Sequence, residues 1–495
     1  MLFLLLSAFF AIFLFQQLYW KRRNYPPGPT PLPFIGNFLE VLKYEAGYQA
    51  FTNWRKQFGP IYTYWLGPFP FIVISEYERM KETFVKDGDA YTGKFGLEEA
   101  TDLFRGGKYG IIDTTGETWR EHRRFAMHQL RDFGVGRDLM QSKILLEMSF
   151  LAKDIENHKE GEVKVQEMFD IAVGSVINQF LFGYRFDEER LPELRQLKAL
   201  VKLQMEKASD PKAIALCFPW TKYLSIGNDF RELLIQVRGQ FWAFFQRQID
   251  EHMKEIDFDQ DESKDYVEAY LKERRKRKAP VGEKEIFSNE NLMNILVDLW
   301  FAGLETTSNT LTWAIAYLLN NPEVQEEIHE ELARVIGSDR EIIMSDKNDL
   351  VYMNAFINES QRCANLLPVN LAHVLEKDVV LNGYEIPKGT GVLAQISTVM
   401  LDDKVFPEPH KFNPKRFIED NGQLKKVDEL IPFSIGKRQC LGEGLARMEL
   451  FLFTANLLNR FKVKPGRAGP PSLKKRMGVT MCVETFTCLF EPKTY

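Results

Sequence analysis

Apolar residues fill the first fifteen positions almost without a break, MLFLLLSAFFAIFLF, before Gln16-Gln17, the aromatic pair Tyr19-Trp20 and the basic cluster Lys21-Arg22-Arg23. About 20 such residues let a helix cross a bilayer. A secretory signal carries positive charge before its apolar run and small residues after it. Here the charge order is reversed and no such cleavage site follows. The pattern predicts an uncleaved transmembrane anchor over residues 1–20, with the rest of the chain in the cytosol because basic residues stay on that side. Pro26, Pro27, Pro29, Pro31 and Pro33 cannot continue a helix. Residues 21–36 therefore read as a basic and Pro-rich hinge, stiff and extended, and 37–495 as the body.

Within the body the apolar spacing alternates between strand and helix periods. IYTYWLG and FIVIS predict two strands turning at Gly67-Pro68. Apolar positions at helical spacing predict helices around 140–155, 190–205, 228–256, 289–320 and 441–461. Short strands return in DVVLNGYEIPKGTGVLAQI, where Asn382-Gly383 predicts a tight hairpin turn. The stretch from Asp257 to Lys284, with its run KERRKRK, predicts a solvated loop and helix end.

Composition narrows the function classes. The 495 residues carry a net charge of −5, which speaks against nucleic acid as a partner. Aromatics make up 13% of the chain, including 39 Phe, which suits a large apolar interior or cavity. The five cysteines, Cys217, Cys363, Cys440, Cys482 and Cys488, are too few and too scattered for a disulfide framework, and none shows CxxC spacing. A lone cysteine is ordinarily a small core hydrophobe.

Cys440 has unusual company. It sits in FSIGKRQCLGEG, between glycines, beside Lys437 and Arg438, and just before a helical pattern. A thiolate at a helix start is favoured by the dipole and free backbone N–H groups. Gly436 and Gly442 let something flat and bulky approach, and the basic pair offers charge to carboxylates. An iron porphyrin asks for these on its proximal side. Gly442-Glu443-Gly444 opens like a dinucleotide fingerprint, but Arg447 takes the third glycine position and no βαβ unit surrounds it.

At these residues the chain resembles the cytochrome P-450 monooxygenases, whose cysteine-loop pattern Phe-x-x-Gly-x-Arg-x-Cys-x-Gly is matched by Phe433, Gly436, Arg438, Cys440 and Gly442. AGLETTSNTL matches the family's oxygen-binding segment. By resemblance Gly303 opens space beside the iron, Thr306 is the proton-relay hydroxyl and Glu305 the acid behind it. NESQR supplies the Glu-x-x-Arg pair Glu359 and Arg362, and FNPKRF supplies Arg416. In the family these three form a buried structural network. Trp119, Arg123, His373 and Arg438 match the positions that hold the haem propionates.

The resemblance runs from the hinge to Pro492 and is strongest to the animal microsomal family-2 group. It implies a mainly α fold with a small β portion behind one N-terminal membrane-anchor helix. It implies heme b (iron protoporphyrin IX) with Cys440 as axial iron ligand. It further implies electrons from NADPH through a separate cytochrome P-450 reductase, cytochrome b5 as a possible second donor, and small lipophilic substrates such as xenobiotics, fatty acids or steroids. The location implied is the endoplasmic reticulum membrane, with the body facing the cytosol. Arg120, Arg124, Lys437 and Arg447 are candidates for docking the reductase. Substrate-facing segments are expected near Lys94–Ile112, Leu203–Phe245, Trp300–Ala302, Pro368–Leu371 and Val479–Val483. A peroxide-rearranging haem-thiolate isomerase and a non-catalytic haem sensor are the rival classes. Glu305 and Thr306 weigh against both.

Overall fold

Ile61–Leu66 and Phe69–Ile74 pair as an antiparallel hairpin, with Leu66 opposite Phe69 across the Gly67-Pro68 turn. The second strand runs parallel to Gly391–Ala394. That strand pairs antiparallel with His373–Val374, and His373–Val374 in turn with Gly93–Lys94. The register sets Lys94 opposite His373 at the edge of this five-stranded sheet. A separate hairpin, Val379–Leu381 with Tyr384–Ile386, closes through Asn382 and Gly383, both at positive φ as its tight turn requires. The computed structural model describes residues 1–136, 138–158, 161–208, 211–277, 285–476 and 479–493.

Helices form the rest of the body, as the apolar spacing predicts: Asp138–Asn157, Leu191–Ala208, Asn228–Glu255, Asn289–Asn320 and Glu443–Arg460. The long helix Asn289–Asn320 is capped by the Ser288 side chain, which accepts from Asn291 N, and ends before Pro322. Between Asn291 and Leu319 it is buried except at Phe301, Ala302, Gly303 and Thr306. Val165–Phe182 packs across it: a Cβ on Gly303 would lie 2.9 Å from Ile177 Cδ1. The glycine therefore has a packing reason besides the space it leaves beside it.

Two expectations change in detail. The charged stretch after Asp257 contains a helix, Tyr266–Lys276, with Tyr266 to Lys272 buried. Its aromatic face meets Phe125, Phe180 and Phe287, while Lys272 pairs with Glu268 at 2.8 Å. Charge on one face hid an apolar face on the other. Lys278–Lys284 lies outside the described residues.

The hinge is extended, but it is packed rather than free. Thr63 N donates to Pro27 O, and the Arg22 guanidinium donates to Gly28 O at 2.9 Å and to Thr30 Oγ1 at 3.2 Å. Lys21 stands over the Trp65 ring at 4.4 Å. Beyond this clamp the helix Leu2–Leu18 has no buried residue. The stretch Leu2–Arg22 is long and apolar enough to cross a membrane, with a mean hydropathy of 2.0.

Candidate active site

Ala302, Gly303 and Thr306, three of the four unburied positions of the long helix, open onto one cavity of about 280 Å³, and Cys440 lines it too. The cysteine loop is shaped by backbone. Cys440 N donates to Phe433 O at 3.0 Å, and Gln439 N donates to Gly436 O. Gly436 has φ +85° and lies so close to the Phe84 carbonyl that a Cβ would come within 2.2 Å of it. No other residue fits there. Gly442 begins the helix Glu443–Arg460, and a Cβ on it would meet no protein atom within 4 Å, taking cavity space instead. The Gly442 and Glu443 amides point at Cys440 and favour its thiolate, yet burial outweighs them and the thiol is pushed up. A metal on the sulfur would reverse that balance.

Gly116–Asp132 carries Trp119 and Arg123 one turn apart, and both line the cavity. Arg123 donates to Gln439 O at 2.7 Å. Arg438 donates to Thr92 O at 2.8 Å, Thr114 O at 2.5 Å and Ile111 O at 3.2 Å, and its guanidinium lies 3.9 Å from the Trp119 ring centre. His373 bonds Tyr91 O through Nδ1 at 2.6 Å. Its Nε2 lies 3.4 Å from Lys94 Nζ. The sequence-predicted residues Phe433, Trp119, Arg123, His373, Arg438, Gly303, Thr306 and Cys440 thus share one cavity wall.

Lys94 joins them, with no role in the sequence reading beyond the edge of a substrate-facing segment. Only the pairing of its strand with that of His373 brings it here. The resulting cationic cluster is poorly compensated. Burial, then Arg438, pushes Lys94 down to about 7 against a weaker pull from Asp113. Burial, then Arg123, pushes Arg438 down to about 9. Burial and the Lys94 charge hold His373 well below its usual value. Trp119 Nε1 is buried with no partner. Half-buried like charges and an orphan N–H call for an anionic, hydrogen-bond-accepting ligand. The carboxylates of a porphyrin fit this description, and Cys440 and Gly442 fit its iron and its face.

The long helix does not turn all its chemistry inward. Thr306 lines the cavity and donates to Ala302 O at 2.7 Å. Glu305 is buried, is not among the residues lining the cavity, and pairs with Lys198 at 2.6 Å. Asp170 shares that lysine at 2.9 Å, and Asn309 Nδ2 donates to Glu305 at 2.7 Å. Away from the cavity wall, Glu359 and Arg362 are fully buried and form a two-pronged ion pair at 2.7 and 2.8 Å. Arg416 joins Glu359 at 3.0 Å. The two arginines hold the carbonyls of Met400, Pro407 and Pro409. Of the docking candidates, Arg120 and Lys437 reach Asp89, Arg124 reaches Glu121 and Arg447 reaches Glu443.

A cysteine under a helical window, ringed by half-buried cations, defines a haem-thiolate enzyme site. Residues 26–490 match the family model for cytochrome P450. The chain is 35% identical to cytochrome P450 2H1 of Gallus gallus over 453 residues, 90% of this chain and 88% of that protein. It is 35% identical to cytochrome P450 2C29 of Mus musculus, covering 90% and 89%. To the probable cytochrome P450 CYP36A1 of Caenorhabditis elegans it is 36% identical, covering 89% of each. The chain belongs to the cytochrome P450 family, and it is a monooxygenase.

Proposed function

We propose that this monooxygenase inserts one atom of dioxygen into small lipophilic compounds, such as xenobiotics, fatty acids or steroids. Its electrons come from NADPH through a separate reductase, with cytochrome b5 as a second donor. It works at the endoplasmic reticulum membrane with its body, residues 37–495, in the cytosol, behind a hinge over 21–36 and an anchor over 1–20. The observation that carries this reading is the single cavity shared by Cys440, the window Ala302–Gly303–Thr306 and the uncompensated cations.

Heme b, held by the Cys440 thiolate, would supply the iron for activating dioxygen. The remaining work falls to this chain. Trp119, Arg123, His373 and Arg438 would hold the porphyrin carboxylates, with Lys94 beside them. Thr306 gives its own hydrogen to Ala302 O, so its oxygen offers lone pairs to a cavity water and holds that water in place. Glu305 can serve behind it only after leaving Lys198, which holds its carboxylate at 2.6 Å. Ile111, Ile112, Leu299, Leu366 and Leu367 give the wall its apolar character and select greasy substrates.

Mixing the enzyme with the reductase, NADPH and a panel of lipophilic probes should give NADPH-dependent oxygen uptake and a hydroxylated product. Product formed from a hydroperoxide without reductase would favour the isomerase reading. Haem binding with neither activity would favour the sensor. Cys440→Ser should abolish the thiolate spectrum of the reduced carbon-monoxide complex, and its survival would remove Cys440 as the ligand.

A further inference from the structure

Two polar residues of the cavity wall share a backbone conformation that side chains rarely adopt, and they are bonded to each other. Asn370, in the loop before the strand His373–Val374, has φ +63°, and Ser434, one residue after Phe433 in the cysteine loop, has φ +62°. Asparagine tolerates the left-handed region, whereas serine seldom enters it. Asn370 Nδ2 donates to Ser434 Oγ at 3.0 Å, and both residues line the cavity. Asn370 Oδ1 accepts from Leu371 N at 2.8 Å, and Asn370 N donates to Leu367 O at 3.1 Å. Leu367 and Leu371 line the cavity as well. One side-chain amide thus joins two loops that lie 64 residues apart in the chain.

Ser434 matters because of the peptide in front of it. That peptide carries the Phe433 carbonyl, and the φ of Ser434 helps set which way the carbonyl points. In the left-handed conformation it accepts from Cys440 N at 3.0 Å. The far half of the cysteine loop has its own anchors, Gly436 against Phe84 and Arg438 on the carbonyls of Thr92 and Thr114. The near half has Asn370. A sparsely populated backbone persists only where its surroundings fix it. We propose that Asn370 is a positioning residue for the axial cysteine, holding the Phe433 carbonyl on the Cys440 amide by way of Ser434. So held, that amide cannot turn to its own sulfur, which keeps only the amides of Gly442 and Glu443. A further N–H on the sulfur would draw electron density from it and retune the metal it binds. Leu367 and Leu371 belong to the apolar wall that a lipophilic substrate meets, so Asn370 also ties that wall to the iron's ligand. The proposal rests on the haem-thiolate reading.

The test uses the haem-loaded full-length enzyme, with carbon monoxide as the probe. Asn370→Gly and Ser434→Gly both leave the left-handed backbone open, and each removes one end of the tie. Both should raise the C–O stretch of the reduced carbon-monoxide complex, because a sulfur that donates less leaves the iron less density to pass on. Both should also raise the reduction potential of the iron. The double variant should show the shifts of either single one, because one tie can be cut only once. Loss of packing alone would lower the thermal midpoint and leave stretch and potential where they were. A direct effect of the Asn370 amide on the bound probe would move the stretch in Asn370→Gly and not in Ser434→Gly. Either result overturns the proposal, and so do additive shifts in the double variant. If Asn370→Gly fails to hold haem, the stretch and potential of Ser434→Gly decide the matter. Failure of the haem-thiolate reading looks different, since the unmodified protein's carbon-monoxide complex would then lack the thiolate spectrum.

Discussion

Neighbouring residues on a helix point about 100° apart, and Glu305 and Thr306 show the consequence. Their side chains cannot share one direction, so the hydroxyl faces the cavity while the carboxylate pairs with Lys198 on another helix. The acid-hydroxyl motif was legible in the sequence, but its orientation was not. The place of Lys94 in the cationic cluster was missed for a related reason. It reaches the site by strand register, which leaves no local pattern. Cys440, Trp119, Arg123 and Arg438 were legible because each stands in a spaced motif, and His373 only through the family resemblance. At this scale Thr306→Ala should keep helix and haem, since alanine has the highest helix propensity. It removes the lone pairs that hold the water. With a hydrocarbon-like probe, product per NADPH should fall by roughly tenfold or more while hydrogen peroxide rises. An unchanged ratio would reduce Thr306 to packing.

Five of the helices followed from their apolar spacing, and Asn289–Asn320 has the bounds that spacing predicts, while Val165–Phe182 and Pro322–Val335 went unread. Tyr266–Lys276 did not follow from it, because six charged side chains among its eleven residues mask its apolar face. Two ties between elements have measurable weight. Glu359 neutralises two arginines that grip the loop from Met400 to Lys411. Glu359→Gln strands Arg362 without a counter-charge, at a cost of roughly 3–5 kcal/mol. The expected result is a lowered denaturation midpoint and loss of the thiolate spectrum at temperatures the unmodified protein tolerates.

The second tie joins the end of Asn228–Glu255 to the start of Tyr266–Lys276. His252 Nε2 meets Asp265 at 2.8 Å and Nδ1 meets Gln248 O at 2.6 Å, an arrangement that suits the protonated ring. Burial opposes that charge, but Asp265, the Gln248 carbonyl and Glu268 outweigh it and raise the pKa. A raised pKa contributes stability that is complete below about pH 6.5, the unfolded value. That contribution is lost as pH rises through the folded value. Thermal midpoints of the protein and of His252→Gln should therefore differ most in mild acid and converge in alkali. Curves that stay parallel would remove His252 as the cause.

On the scale of the whole molecule, the N-terminal helix and the body meet at an apolar surface. Trp220, Tyr223 and Leu224 are exposed, and Phe34 lies between Phe218 and Phe13 of the N-terminal helix. Exposed apolar patches of this kind seek lipid or a partner. Deleting residues 2–18 spares the Arg22 bonds to Gly28 and Thr30. It should leave haem binding intact and move much of the protein to the soluble fraction. Adding Trp220→Ser and Tyr223→Ser should release the remainder. Haem loss on the deletion would make the segment part of the fold.

The grip of Arg22 on the carbonyl of Gly28 does more than tidy a connection. A freely jointed leash would let the catalytic body swing and roll over the bilayer, meeting dissolved substrate at a new angle each time. Gripped, an N-terminal helix seated in lipid would become a keel, and its tilt would set the pitch of the body. Arg22→Ala should then broaden the spread of orientations in oriented bilayers, seen as weaker linear dichroism of the haem, while the carbon-monoxide spectrum in detergent does not change.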